Sequence, residues 1–337
     1  MTPLVSIVIP TLNSQAVLSD CLKSIKKQIG VSLDIIIADG GSTDKTIYIA
    51  NQYKCQIVKN PLKTAESGKA IGLKHASGEF VGLIDSDNIL PKSNWLKSMI
   101  SPLIRDKALI GSEPWKFTYR KNGGFIERYS SLIGANDPYA FVTGIYDRKN
   151  YINHKWTEMN VKTTNYPKYL KLKLTKNQPI PTIGANGTIF RSSFIKKHFS
   201  GDYLFDIDVI SLAITKTNLP LYFAKVKIGI IHTFCESSIS KFIKKQQRRL
   251  TDYYTLKEIR AFNWDQTNRF GIVKFTFYTC CIIWPIVDSF RGFFHKPDFA
   301  WFFHPFACVI TLFIYTQITI KNKVGLLKPL DRQQWQQ

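Results

Sequence analysis

The chain has 337 residues, 45% hydrophobic and 13% aromatic, enough to bury one substantial core with sequence left for an appendage. Forty-six Lys and Arg against 24 Asp and Glu give a formal charge of +22, a field suited to nucleotides, nucleic acid or anionic lipid. Zinc-finger and RRM signatures are missing, which argues against nucleic acid, and six cysteines without CxxC or Cys/His spacing argue for reduced thiols in a cytosolic setting.

The N-terminal stretch MTPLVSIVIPTLN lacks a basic n-region and a small-residue cleavage site, so no signal peptide is expected. Residues 5–9 form a mainly apolar, β-branched run, broken only by Ser6 and ended by Pro10, the pattern of a strand covered on both faces. Val17, Leu18, Cys21, Leu22 and Ile25 then recur at helical spacing, with Asn13 or Ser14 as the cap and Gly30 near the stop. Strand signals return at 33–38, 55–58 and 80–84, and a second helix is expected from a cap at Thr43 through Ile47 and Ala50. Strands alternating with helices predict a mainly parallel sheet flanked by helices, an α/β fold whose ligands bind beyond the carboxyl ends of the strands. The loops 10–13, 39–44 and 85–88 fall at those ends.

Residues 110–200 carry aromatic and Lys-rich stretches read as loops and further strands. Beyond Trp264, residues 272–290 and 299–320 are the most apolar stretches, long enough for a hydrocarbon core of about 30 Å. Lys274, Asp288, His304, Pro285 and Pro305 interrupt them, leaving open a paired hairpin or steep interfacial helices. Lys241, Lys244, Lys245, Arg248, Arg249, Lys257, Arg260 and Arg269 precede them, Lys321, Lys323, Lys328 and Arg332 follow, and the link 291–298 carries fewer cations. The positive-inside rule then puts both flanks in the cytoplasm and the link across the membrane. The expected organisation is a catalytic domain over 1–235, a basic amphipathic interfacial segment over 236–268, a membrane-associated helical hairpin over 269–322 and a cytoplasmic tail over 323–337.

Asp85-Ser86-Asp87-Asn88 follows the fourth strand, so two carboxylates alternate at a strand end. Hard divalent ions take oxygen ligands, and magnesium is commonly held by one or two carboxylates plus substrate phosphates. A short acidic motif alone is as well explained by a turn; its context decides. VSIVIPTLN at 5–13, IIADGGSTDKT at 36–46 and GLKHASGEFVGLIDSDN at 72–88 occur in order. This closely resembles the family 2 glycosyltransferases over the first hundred residues.

The resemblance implies a GT-A fold, Rossmann-like, with C-terminal membrane helices added here, and an inverting transfer of sugar from a nucleotide-diphosphate donor, UDP-sugar favoured, to a saccharide acceptor that is lipid-linked or part of a cell-surface glycan. It implies Mg²⁺ or Mn²⁺ as cofactor, while the apolar stretches and their basic flanks predict a cell-membrane location with the catalytic domain cytoplasmic and membrane lipid as a partner. It further implies that Pro10, Thr11 and Asn13 line the donor pocket, that Asp39 contacts the nucleobase, that Asp85 contacts the ribose and that Asp87 ligates the metal. Gly40 stands where the family often has a second acid, and Ala70 where an Asn is common. Phe205-Asp206-Ile207-Asp208 resembles the segment that ends in the catalytic base, which makes Asp208 the base with Asp206 as the alternative acid. The stretch around Asn186 resembles one lining the acceptor pocket, and His232 a histidine near the metal or diphosphate.

From the residues themselves, Arg248 and Arg249 are candidates for phosphate, which arginine binds bidentately; a solvated charged face explains them equally. Lys69 lies beside Gly68, but the GxxxxGK spacing of a P-loop is absent, and a solvated side chain is expected. The competing functions are a polyprenyl-phosphate sugar synthase, disfavoured by Asn88-Ile89-Leu90-Pro91 after Asp87 in place of a DADLQ-like motif, and a non-catalytic membrane adaptor that keeps the fold.

Overall fold

A computed structural model describes residues 4–176, 178–184, 186–262 and 270–329. Arg269, Arg332 and the tail beyond residue 329 lie outside the described residues. The chain forms two compact units, one built from residues 4–115 and 160–232, the other from 116–159 and 233–329.

The first unit opens as the apolar pattern dictates, with β1 (Val5–Thr11), α1 (Gln15–Lys26), β2 (Leu33–Asp39), α2 (Thr46–Gln52), β3 (Gln56–Lys59), α3 (Ala65–His75) and β4 (Phe80–Leu83). β1 pairs in parallel with β2 and β4, and β2 with β3. The second helix starts at Thr46, later than the Thr43 cap expected, because Asp44 accepts from the Thr46 backbone N–H at 2.9 Å and Thr43 donates its own to Asn13. After β5 (Asn88–Ile89), α4 (Trp95–Arg105) and β6 (Leu109–Phe117), the chain leaves this unit and re-enters through β7 (Lys162–Asn165), β8 (Tyr169–Leu174), β9 (Thr188–Arg191), α7 (Ser192–His198), α8 (Asp206–Thr217) and β10 (Leu221–His232). The sheet order is β3-β2-β1-β4-β9-β6-β10-β8-β7, with β5 paired to β10. The sheet is therefore mixed: the β3-to-β4 side is parallel, while β9 pairs antiparallel with β4 and β6, and β8 with β10 and β7.

Two packing devices fix the site end of this sheet. α3 rides close on β1 because a Cβ at Gly68 would lie 2.7 Å from the Pro10 Cβ, and one at Gly72 would lie 2.2 Å from a Val8 methyl. Its start is set by a capping box, with Thr64 Oγ1 accepting from Ser67 N at 3.0 Å and Ser67 Oγ from Thr64 N at 3.3 Å. Farther across the sheet, Lys225 of β10 and Glu113 of β6 form a fully buried ion pair at 2.7 Å, which ties these two neighbouring strands together.

The second unit is helical: α5 (Phe125–Ile133), α6 (Pro138–Thr143), α9 (Ile239–Thr255), α10 (Gly271–Cys280), α11 (Ile283–His295) and α12 (His304–Lys323), with a 3-10 turn at Phe299–Phe303. Its core gathers Ile126, Tyr129, Ile133, Phe242, Trp301 and Phe303. The first apolar stretch is not one helix, as its length suggested, but the pair α10 and α11 bent by 86°. Pro285 explains the break: it cannot donate to the carbonyl of Cys281 and its ring crowds that carbonyl, so the helix restarts after Ile282. Within the described residues one helical stretch, Phe299–Lys323, is long and apolar enough to cross a membrane, and half of its apolar window is buried inside the unit. The apolar face of α9 rests on α12, with Ile243, Leu250 and Tyr254 packed against Ile314, Tyr315 and Ile318.

Candidate active site

Four loops of the first unit meet at the carboxyl ends of β1, β2 and β4. Asp39 closes β2 in register with Thr11 of β1. Its Oδ1 accepts from Thr11 Oγ1 at 2.9 Å and Ser42 Oγ at 2.5 Å, and its Oδ2 from the backbone N–H groups of Gly41 and Ser42 at 2.9 and 2.8 Å. Four donors thus occupy the roughly four lone-pair positions of a carboxylate, and Asp39 organises the 39–42 loop. Asn13, with φ +49°, ties the first loop to it by accepting from Thr43 N at 2.8 Å while its own N–H donates to Ser42 Oγ.

The acidic motif is held by a register that links distant parts of the sequence. β5 pairs antiparallel with β10, so that Asn88 stands opposite His232. The imidazole Nε2 of His232 then lies 3.3 Å from Asp87 Oδ2. Asn88 Oδ1 accepts from Asp85 N at 3.2 Å, and Asn88 Nδ2 donates to Asn186 Oδ1 at 2.9 Å. Asn186, at φ +46°, therefore joins the motif through its side chain.

Behind the motif lies a buried charge cluster that the sequence reading missed. Lys69, expected in solvent, is 5% exposed and pairs with Asp206 Oδ2 at 2.9 Å. No motif announces this pairing; the signal was Gly68 and Gly72, whose spacing presses α3 onto β1 and carries Lys69 inward. Asp206 and Asp208 both occupy the first turn of α8 and are buried, where the positive end of the helix favours carboxylates. Gly184 makes room for Asp206: a Cβ there would lie 2.1 Å from the Asp206 Cβ, and its φ is +135°. Burial raises the Asp85 carboxyl above its ordinary range, Lys69 and His232 pull it down, and Asp87 and Asp206 push it up. Asp85, Asp87, His232, Lys69 and Asp206 thus share one electrostatic environment. Lys69 is itself held above the ordinary lysine value, the neighbouring Asp206, Asp85 and Glu66 charges outweighing burial, the largest single influence, which acts in the opposite sense.

Arg248 and Arg249 have carboxylate partners of their own. They belong to the second unit, where Arg248 Nε lies 3.2 Å from Asp252 Oδ2 and Arg249 Nη1 lies 3.2 Å from Asp137 Oδ2. Asp137 also caps α6 and accepts from Tyr315 Oη at 2.6 Å. Arg249 is a fastener of the helical unit.

An acidic motif facing a histidine at the strand ends agrees with a match to the Glycosyl transferase family 2 model over residues 6–199, more than half of the chain. The chain belongs to glycosyl transferase family 2. Two curated family relatives are the glycosyltransferase GlyG of Streptococcus pneumoniae serotype 4, 30% identical over 29% of this chain and 35% of that protein, and WfgD of Escherichia coli, 28% identical over 35% and 54%. The matches span about a third to a half of the length of these relatives. Among solved structures, the mannosyltransferase PcManGT from Pyrobaculum calidifontis, in complex with GDP-Man and Mn²⁺, aligns over 96% of this chain and 88% of its own at TM-score 0.52 and 13% identity. That likeness is one of fold.

Proposed function

We propose that this family 2 member is an inverting glycosyltransferase that moves a sugar from a nucleotide-diphosphate donor to a hydroxyl of a saccharide acceptor. The observation that carries the reading is the Asp87–His232 approach at the tip of β4, in the same electrostatic environment as Asp85 and Asp206. The donor set fits Mg²⁺ or Mn²⁺: a carboxylate oxygen and an imidazole nitrogen face each other, and among the described residues no cage of three acidic, His or Cys side chains forms. Such a site leaves coordination positions for diphosphate oxygens. When bound, the cation would supply positive charge for the departing diphosphate.

The protein's own groups do the rest. Asp85 accepts from ribose hydroxyls, and Pro10, Thr11 and Asn13 bound the donor pocket. Asp39 serves that pocket through the loop it organises, since direct contact with a base N–H would displace one of the four donors on its carboxylate. Asp208 takes the acceptor hydroxyl proton as the oxygen attacks the anomeric carbon and the nucleoside diphosphate leaves from the opposite face. Asp206 is the weaker candidate for base because its Oδ2 is already engaged by the buried Lys69 ammonium at 2.9 Å. Asn186 borders the acceptor side.

A UDP-sugar donor and a lipid-linked acceptor are the favoured classes. The Escherichia coli relative is described as a UDP-Glc:alpha-D-GlcNAc-diphosphoundecaprenol glucosyltransferase, and the apolar C-terminal helices of this chain suit work beside a membrane, with the catalytic unit on the cytoplasmic side. The test is transfer from a panel of sugar nucleotides to polyprenyl-diphosphate saccharides. Asp208→Asn should lower the transfer rate by at least about a hundred-fold, in line with general-base catalysis, while donor binding measured by calorimetry persists. Wild-type transfer by Asp208→Asn would remove Asp208 from this role.

A further inference from the structure

Most of the exposed large apolar side chains of the described residues lie between Phe270 and Leu326. They include Phe277 on α10, Ile283, Trp284 and Phe294 on α11, and Phe306 and Phe313 on α12, the last three 79%, 67% and 69% exposed. Isolated exposed apolar residues need no explanation, but a surface this dense needs a cover. The arms of the bent pair, 10 and 13 residues long, reach about 15 and 20 Å at 1.5 Å per residue, each short of a hydrocarbon core of about 30 Å.

Two further observations decide the geometry of the cover. The link between α11 and the Phe299–Phe303 turn is pinned to the segment that precedes α5 and to α5 itself. Asp298 accepts from Tyr119 Oη at 2.5 Å and pairs with Arg128 Nε at 3.0 Å, and the Lys296 ammonium sits 4.4 Å above the Tyr119 ring. The helices of residues 116–159 are only 9 and 6 residues long, too short to cross a bilayer, so this segment cannot carry the link to the far side. Along α12, the half bearing Ile314 and Ile318 is flanked by α9, whose other face carries Lys241, Lys244 and the Arg248–Asp252 pair. Those charges require water or headgroups beside that half of α12.

We propose that residues 270–326 form a monotopic surface that embeds in a single leaflet of an anionic bilayer, with α9 at headgroup level and no part of the chain crossing to the far side. The bent pair is the wedge, entering and leaving the same leaflet. The exposed Lys of α9 match anionic headgroups, which selects a lipid surface over an apolar protein partner. The sequence had suggested a hairpin whose link crosses; the Arg128–Asp298 pair argues for the same side.

The proposal does not depend on sugar transfer, and its test reads none. Full-length chains carrying Pro297→Cys or Lys241→Cys, in a Cys280→Ser, Cys281→Ser background, are expressed in bacterial cells and treated with an impermeant maleimide. Both positions are exposed, and both should react in inside-out vesicles and stay unlabelled in intact spheroplasts. Labelling of position 297 from the outside would establish a crossing hairpin and overturn the proposal. In parallel, purified wild type should float with vesicles of phosphatidylcholine and phosphatidylglycerol more than with phosphatidylcholine alone. Ile283→Asp with Trp284→Asp should reduce that binding at least about ten-fold at an unchanged melting temperature. Undiminished flotation of that variant, or a wild type that self-associates through this face and ignores vesicles, would also overturn it.

Discussion

The imidazole Nε2 of His232 stands 3.3 Å from the carboxylate of Asp87 because β5 and β10 pair in a register that sets Asn88 opposite His232. A side chain brought in by strand register is fixed by the ladder, which suits the proposed cation site. His232→Ala should therefore raise the Mn²⁺ concentration needed for half-maximal donor turnover by at least about ten-fold, with little change in melting temperature. A metal titration of nucleoside diphosphate release checks it; an unchanged half-saturation would make His232 a structural residue.

Lys69 and Asp206 are a buried pair, and breaking one from one side leaves a charge in a poorly solvated place. Lys69→Met should cost about 3–5 kcal/mol of unfolding free energy, read from urea denaturation. Lys69→Met combined with Asp206→Leu should recover much of that loss, since paired apolar replacements of buried ion pairs are often neutral. A double variant as unstable as the single one would show that Asp206 has a second obligatory partner in the fold.

Gly184 is required on two counts, its φ of +135° and the space occupied by Asp206. Gly184→Ala should destabilise by about 1–3 kcal/mol and, by displacing Asp206 and the first turn of α8, should lower the transfer rate more than it raises the donor KM. Normal stability and rate in this variant would mean that the loop relaxes freely.

Asp85 sets the direction of a pH effect. Its carboxyl is raised in the folded protein, so the folded state holds the proton more tightly than the unfolded state, and stability from this group falls as pH rises from the unfolded value of about 4 toward the raised one. Asp85→Asn removes that loss. The variant should melt at a higher temperature than wild type at pH 7, with the difference shrinking at pH 4, while donor binding weakens. An unchanged difference across that range would assign the effect to something other than ionisation.

Much of the first unit was legible in the sequence because its strands are covered on both faces: mainly apolar runs such as 5–9 and 33–38 have few other readings. The tips of those strands were legible from the turn residues that end the apolar runs, Gly40-Gly41-Ser42 and Asp85-Ser86-Asp87-Asn88. The burial of Lys69 was not, because it depends on two glycines that matter only once α3 meets β1. Nor was the pairing of Arg249 with Asp137, since a Lys- and Arg-rich helix shows its charge in sequence but not its partners. The bend after α10 was half legible: Pro285 marked an interruption, and only the three-dimensional path shows a turn of 86°.

The most direct test of the account is nucleoside diphosphate release from a sugar-nucleotide panel, measured against Mn²⁺ concentration for wild type and Asp87→Ala. Wild type should turn over one donor class in a metal-dependent manner that chelation abolishes, and Asp87→Ala should fall by at least about a hundred-fold at saturating metal, the scale of a lost electrostatic stabiliser. Equal, chelator-insensitive rates for the two proteins would contradict it.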